Sequence, residues 1–272
     1  MQSPLKKYTE ANREAWNEVM PRHQAAAKEK WDNAFLQPGF VCLDDVEIDL
    51  LERMGIKGKE VANLCCNNGV ELLSLKNLGA NQCVGFDISD VAIQEAQERA
   101  KQCQIDCQFV QADVYEIAPE YENRFDVVYL SAGALGWMPD LKLLFAKAAA
   151  LLRKNGRVFL HEIHPFSEMV PFDDHEGTDI LRIVEPYFKA EPYVEYGDLD
   201  YVGGSKYTSE KPQYWFVHTV SDILMGLIEN HIQVEHFSEY ESDISAVHKR
   251  VEQARAGVPL SYILIGRKHR DN

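Results

Sequence analysis

Apolar positions change their period along this chain, and the changes mark its parts. Between residues 10 and 33, Trp16, Val19, Met20, His23, Ala27 and Trp31 recur at helical spacing. Pro21 lies inside this stretch. It lacks an N–H and clashes with the preceding turn, so two helical pieces are predicted. A loop through Pro38 and Gly39 follows, then a short amphipathic helix over 44–54 that Gly55 stops. From 60 to 164 short apolar runs alternate with amphipathic ones. The runs predict strands at 60–66, 82–87, 107–112, 125–131 and 157–163, with helices at 69–78, 90–103 and 140–153. Ser89 is suited to cap the second of these helices, with Asp90 in its first turn where the helix dipole favours negative charge. Asn155-Gly156 is the expected end of the third. Strands alternating with helices imply right-handed crossovers and a parallel sheet covered on both faces.

The pattern breaks after Pro165. Residues 166–217 are rich in aromatics, acids and glycines and show no clear helix. Val194–Val202 and Tyr214–Val220 are the strand candidates there, joined by Gly203-Gly204 and a turn at Ser209-Glu210-Lys211-Pro212. Helical spacing returns over Ser221–Asn230, and Gln233–Tyr240 and Ser261–Lys268 are predicted as a final antiparallel pair, because no strong helix separates them for a parallel crossover. The expected division is a helical cap over 1–40, an α/β core over 41–165, an insertion or lid over 166–217, and a C-terminal helix and strand pair over 218–272.

Composition narrows the classes of function. Length and the 46% hydrophobic content fit a large globular domain or a core with decorations. A net charge of −15 argues against nucleic acid, whose binding depends on Lys and Arg neutralising phosphates. No apolar run approaches the length that spans a membrane, and Met1–Glu10 lacks the apolar segment of a signal peptide, so a cytoplasmic protein is expected. The six cysteines lie in the first 110 residues, mostly inside predicted elements, without the CxxC spacing of a zinc site. They read as reduced structural thiols.

Chemistry is expected at the carboxyl ends of the strands, where open parallel sheets bind ligands. The first strand ends in Val61-Ala62-Asn63-Leu64-Cys65-Cys66-Asn67-Asn68-Gly69, and Asp87 ends the second. That acid has the spacing of a carboxylate that accepts both hydroxyls of an adenosine ribose. The third strand ends at Asp113, suited to an adenine amino group, the fourth at Ser131-Ala132-Gly133, and the fifth at His161-Glu162-Ile163-His164. Asp87 and Asp113 have a plainer reading as helix-start carboxylates.

Residues 61–164 resemble a class I S-adenosylmethionine-dependent methyltransferase. The likeness rests on Val61–Gly69, Val84–Ser89, Phe109–Val114, Phe125–Ser131 and Leu151–Arg157, five segments in order. It implies a doubly wound, Rossmann-like α/β sheet of seven strands, mostly parallel with an antiparallel terminal strand, carrying N-terminal helices and an antiparallel insertion. It also implies S-adenosylmethionine as cofactor. Carried over, Asp87 holds the ribose and Ile88 packs on the adenine. Asp113 and Val114 read its edge, and Cys65, Asn67 and Gly69 line the methionine moiety through backbone atoms. Ser131 lies beside the sulfonium. The chain departs from the family at Asn63, usually an acid, and at Cys65 and Asn67, usually glycines. Asn63 still hydrogen-bonds but brings no charge to the ligand's amino group, so weakened affinity is expected.

The resulting expectation is methyl transfer to a small-molecule acceptor by a monomer or homodimer. A dinucleotide-dependent oxidoreductase and a diverged, non-catalytic cofactor-binding subunit remain as alternatives. His164 is the candidate general base, set against a strand-end histidine bonded to a loop. No metal site is expected, because alternation puts His161 and His164 on opposite faces. Asp173-Asp174-His175-Glu176 reads as a solvated acidic loop. Tyr187, Phe188, Tyr193, Tyr196, Tyr201, Tyr207, Tyr214, Trp215 and Phe216 pack the insertion or wall a substrate cavity. Trp16 and His23 either cover the cofactor or pack in the core.

Overall fold

A computed structural model describes residues 4–174, 176–197 and 207–269. The chain opens with helix α1 (Pro4–His23), a π-helical turn (Gln24–Lys28), α2 (Glu29–Phe35) and α3 (Asp45–Met54). Then come β1 (Val61–Leu64), α4 (Val70–Asn77), β2 (Cys83–Asp87), α5 (Asp90–Cys103), β3 (Gln108–Gln111), β4 (Phe125–Leu130), α6 (Leu141–Leu151) and β5 (Leu152–Ile163). The remainder is β6 (Tyr193–Gly197), β7 (Thr208–Trp215), α7 (Val220–Glu229), β8 (Ile232–Tyr240), α8 (Lys249–Gln253) and β9 (Ser261–Lys268).

The main sheet has seven strands in the order β3-β2-β1-β4-β5-β9-β8. The first five are parallel, and β9 runs antiparallel to both of its neighbours, β5 and β8. The sequence reading of a mostly parallel sheet closed by an antiparallel strand is met. Helix α3, α4 and α5 cover one face through Leu51, Leu72 and Ala96 against Val61, Tyr129 and Phe159. Helices α6 and α7 cover the other through Leu144, Phe145 and Leu227 against Val128, Leu160 and Leu264. Strand order reverses between β1 and β4, which puts the ligand-binding crevice at their carboxyl ends.

Several elements depart from expectation. Pro21 does not split the first helix; α1 continues through it, and the irregularity appears as the π-helical turn just beyond. Contacts from outside hold the helix in line, since Asn12 pairs with the Tyr214 backbone in both directions and Asn17 bonds Asp90. Helix α6 ends at Leu151, not 153, because Leu152 already pairs with Phe125 in the sheet. Asn155, at φ 63°, therefore turns the chain within an irregular strand instead of capping a helix.

In the insertion, Ser209–Pro212 lies inside β7, not in a turn. A two-stranded sheet leaves one side of β7 without a ladder partner, and such an edge tolerates proline. Strand β6 starts at Tyr193 and ends at Gly197, and residues 216–219 lie outside any strand. The expected turn Gly203-Gly204, the end of the predicted strand at Val202, Tyr201 and His175 lie outside the described residues. Helix α8 was not foreseen. Asp173 caps it by accepting the amides of Lys249 and Arg250, so this acid is not merely solvated.

Candidate functional site

The turn after β1 shows how the sequence replaces lost glycines. Cys65, Asn67 and Gly69 all adopt left-handed backbone, with φ of 54°, 46° and 79°. Gly69 admits no side chain, because a Cβ there would sit 2.5 Å from the Phe109 ring. Cys65 and Asn67 keep the same conformation at some cost, lower for asparagine than for most residues. The turn is held from two directions. The Asn67 amide donates to Asp87 Oδ2 at 2.8 Å, and the buried Arg99 guanidinium donates through Nη1 to the Asn68 carbonyl at 2.6 Å.

Asp87 ends β2 with only 8% of its surface exposed. Its Oδ1 accepts the Ser89 amide at 2.8 Å, so both oxygens brace backbone while the carboxylate keeps some acceptor capacity. Burial raises its pKa, and the amides of Ser89, Asn67 and Ile88 work against that rise. Ser89 caps α5 as predicted, accepting the Ala92 amide. Ile88 is half-buried beside it, and its carbonyl accepts Gln111 Nε2. At the next strand end Asp113 Oδ1 accepts the Tyr115 amide, the helix-start role, which leaves Oδ2 for other use. Val114 buries its side chain in the core and offers a ligand only its backbone.

Asn63 is fully buried. Its Nδ2 donates to the carbonyls of Leu64 and Tyr129, each at 3.3 Å, while its Oδ1 has no partner. The Asn67 Oδ1 is also buried without a partner. Two orphaned acceptors beside one turn suit a donor-rich ligand such as an ammonium group, since an unpaired buried acceptor costs about 1–3 kcal/mol. The adjacent thiols of Cys65 and Cys66 are pushed far up, chiefly by burial, and all six cysteines are free.

Ser131 sits half-buried at the end of β4 and opens a turn in which its carbonyl accepts the Ala134 amide. Glu162, on β5, organises this loop. Its Oε2 accepts the Gly133 amide at 2.9 Å and its Oε1 the Leu135 amide at 3.0 Å. It is 2% exposed, and burial pushes its pKa up to about 7 against the pull of those amides. The sequence reading placed Glu162 at the end of the fifth strand but gave it no role, although a carboxylate inside an apolar strand is a recognisable signal.

A line of aromatic rings joins the loop to its surroundings. Trp16 of α1 meets Trp137 edge-on at 5.5 Å, and Trp137 meets Trp215 of β7 at 5.1 Å. Trp215 lies so close to Gly136 that a Cβ there would be 2.3 Å from its ring. Helix α1 is thus fastened to β7 at Asn12 and, through Arg13 and Asn17, to Asp90 at the start of α5. His23 packs edge-on against Trp16 and is buried. Of the aromatics expected to pack the insertion or wall a cavity, Trp215 packs inward against Trp137, whereas Phe188 is 84% exposed.

The fifth strand separates its histidines as alternation requires. His164 does not have a free base position. Its Nδ1 accepts the Phe166 amide at 3.0 Å and its Nε2 faces Glu239 Oε1 at 2.9 Å, so both nitrogens serve the strand end. Burial lowers its pKa, with Glu239 opposing. His161 points to the opposite face, where Asp44, Glu47 and His161 bring potential ligand atoms within 4.8 Å of one another. Each carboxylate has one oxygen already pinned, Asp44 by the Glu47 amide and Glu47 by the Tyr129 hydroxyl. His161 lies between them. Burial lowers its pKa, but Glu47 and Asp44 outweigh this and raise it overall. The group reads as an ion-paired imidazole joining α3 to β5.

Comparison with known proteins agrees with this architecture. A methyltransferase-domain family model matches residues 61–156. Trans-aconitate 2-methyltransferase of Escherichia coli is 33% identical over 111 residues, 40% of this chain and 41% of that protein. The chain spans between 40% and 57% of the length of the curated relatives it matches. Among solved structures, an S-adenosylmethionine-dependent methyltransferase described as putative, from Listeria monocytogenes, superposes with a TM-score of 0.61 at 19% identity, covering 82% of this chain and 98% of that one. The cyclase SpnF superposes with a TM-score of 0.63 at 14% identity over 97% of both chains. Residues 61–156 thus match a methyltransferase-domain family model, and the fold is the one seen in solved S-adenosylmethionine-dependent methyltransferase structures.

Proposed function

We propose that the chain transfers a methyl group from S-adenosylmethionine to a small-molecule acceptor. The observation that carries this reading is the turn after β1, held in three left-handed conformations and tied by the Asn67 amide to the carboxylate that ends β2. The residues present fit the cofactor. Asp87 would take the ribose hydroxyls, Ile88 would lie beside the adenine, and Asp113 with the Val114 backbone would meet its edge. The orphaned oxygens of Asn63 and Asn67 would accept from the methionine ammonium. The backbone of Cys65 and Gly69 would border the methionine chain, and Ser131 the sulfonium.

The bound cofactor supplies an activated methyl group; the protein supplies position and exclusion of water. Asp87 sets the turn and the sugar in one frame. Glu162 fixes the loop that carries Ser131, and the Trp16–Trp137–Trp215 line closes α1 and β7 over it. His164 holds the strand end and takes no proton in this scheme. Residues 1–40 act as a cap and 166–217 as a lid on the acceptor side, with 41–165 and 218–272 forming the core. The net charge of −15 supports a small acceptor over a nucleic acid, and no described helix is long and apolar enough to cross a membrane. We place the protein in the cytoplasm as a monomer or homodimer.

Titration calorimetry with S-adenosylhomocysteine, beside NAD and NADP, tests the reading. Micromolar binding of the first alone is expected. Binding of a dinucleotide instead would restore the oxidoreductase alternative. No binding of any of them at millimolar concentration would favour a diverged, non-catalytic subunit, for which the two replaced glycines are the supporting observation.

A further inference from the structure

Glu162, near the end of β5, is a buried carboxylate with two sets of partners. In the structure its oxygens are committed to three amides. Oε2 accepts Gly133 at 2.9 Å and Ile163 at 3.2 Å, and Oε1 accepts Leu135 at 3.0 Å. Two of those amides belong to the loop that starts at Ser131. An ionised carboxylate only accepts, so this arrangement is that of the charged form. The second set is already in position. Tyr262 lies directly opposite Glu162 in the β5–β9 ladder, so both side chains leave the same face of the sheet. Its hydroxyl is buried, in a residue 1% exposed, and has no hydrogen-bond partner, where a buried phenol normally finds one. A protonated carboxyl has an O–H to direct, and this hydroxyl oxygen can accept it. A cavity of about 30 Å³ borders both side chains, too small for a substrate but open space into which the carboxyl can turn.

We propose that Glu162 is a positioning residue with two settings: its carboxylate draws the Ser131–Trp137 loop onto the strand ends, and its protonated form exchanges one loop amide for the Tyr262 hydroxyl. The proton comes from solvent, and no other bond is made or broken. That the loop serves methyl transfer rests on the function proposed above; the exchange itself does not.

The surroundings of Glu162 leave it as the group that switches near neutrality. Burial pushes its carboxyl up to about 7, against the pull of the Leu135, Gly133 and Ile163 amides. Cys65 at the end of β1 and Tyr262 on β9 are both pushed far up, by burial first, and stay neutral. Glu168 and His218 border the same cavity; burial raises the first and lowers the second. His161, the chain neighbour, points to the opposite face, where Glu47 and Asp44 raise its pKa over the opposing effect of burial. The sign follows from these groups. Below about pH 7 the folded carboxyl carries a proton and one loop amide is released; above it the carboxylate holds both, and the loop is firm.

Hydrogen-exchange mass spectrometry on the full chain reads the protection of residues 131–137 between about pH 5.5 and about pH 8.5, corrected for the intrinsic pH dependence of exchange. Calorimetry reads the dissociation constant of S-adenosylhomocysteine over the same range. Loop protection is expected to rise about tenfold through neutrality, as one hydrogen bond to a charged group is gained, and affinity to rise about threefold with it. Glu162→Gln is a neutral isostere of the protonated form, so it should show the low-pH protection and affinity throughout. Tyr262→Phe removes the alternative acceptor, so the midpoint should move down by about one pH unit. Circular dichroism reports whether each variant folds. Flat loop protection in the wild type, a step that persists in folded Glu162→Gln, or an affinity that ignores the step overturns the proposal. Where Glu162→Gln fails to fold, an unmoved midpoint in Tyr262→Phe overturns it. The loop step with no S-adenosylhomocysteine binding at any pH keeps the switch and sinks the methyltransferase reading; binding with a flat loop sinks the switch alone.

Discussion

At the scale of single residues, the departures from family pattern lie where backbone conformation is most demanding. Cys65 and Asn67 hold left-handed backbone that glycine adopts freely. Cys65→Gly and Asn67→Gly are expected to tighten S-adenosylhomocysteine binding by about two- to fivefold, equivalent to roughly 0.5–1 kcal/mol, because a glycine lets the methionine chain approach the backbone more closely. Calorimetry on both variants checks this, and unchanged or weaker binding would count against side-chain bulk as the limiting factor. These positions were legible in sequence because turn chemistry is local: a buried run, a small residue, an asparagine and a glycine follow one another. Glu162 and Tyr262 were not legible as a pair. Their partnership depends on β9 pairing with β5 in one register, across a separation that no local pattern encodes.

At the scale of elements, the N-terminal helices are fastened to the core through a buried charge cluster. Arg99 of α5 is fully buried. It donates to Asp32 of α2 at 2.8 Å, to Glu95 at 2.5 Å and to the carbonyl of Asn68 in the turn after β1. Removing it leaves two acids without their central cation. Arg99→Met is therefore expected to destabilise the fold by about 3–5 kcal/mol, read from denaturant titration. Asn12 makes a second fastening, shaped like one rung of a strand ladder with Tyr214. Asn12→Ala should speed amide exchange in α1 and β7 while leaving β1, β2 and β4 protected, a pattern that hydrogen-exchange mass spectrometry resolves. A helix start was readable where its cap is local, as at Ser89, whereas the capping box of Thr219 and Asp222 was missed, its threonine falling in the predicted strand Tyr214–Val220. Pro21 misled, because tertiary fastening on one side of it overrode a local rule. Ser209–Pro212 misled because turn residues on an unpaired edge cost little.

At the scale of the whole molecule, acidity has a price in stability that depends on pH. Burial pushes Glu71 up to about 7, from an ordinary value of 4.5, with Glu47 adding to the rise. A carboxyl raised in the folded state contributes fully below its unfolded value and loses that contribution as pH climbs through its folded value. Wild-type stability is therefore expected to fall between pH 5 and pH 8. Glu71→Gln, which carries no charge at either pH, should remove about 1–2 kcal/mol of that fall, allowing for the partial exposure of the side chain. Urea titrations at the two pH values measure the difference; an equal slope in both proteins would refute it. The reversed strand has a further consequence, for synthesis. Strand β8 leaves the ribosome before β9, yet in the finished sheet β9 lies between β5 and β8. Until the last strand emerges, β5 and β8 each expose an unpaired ladder beside apolar side chains such as Leu160 and Phe237. The nascent chain must therefore stay open along that seam from the completion of β5 at Ile163 until β9 follows at Ser261–Lys268, a window in which holdase chaperones have a surface to bind.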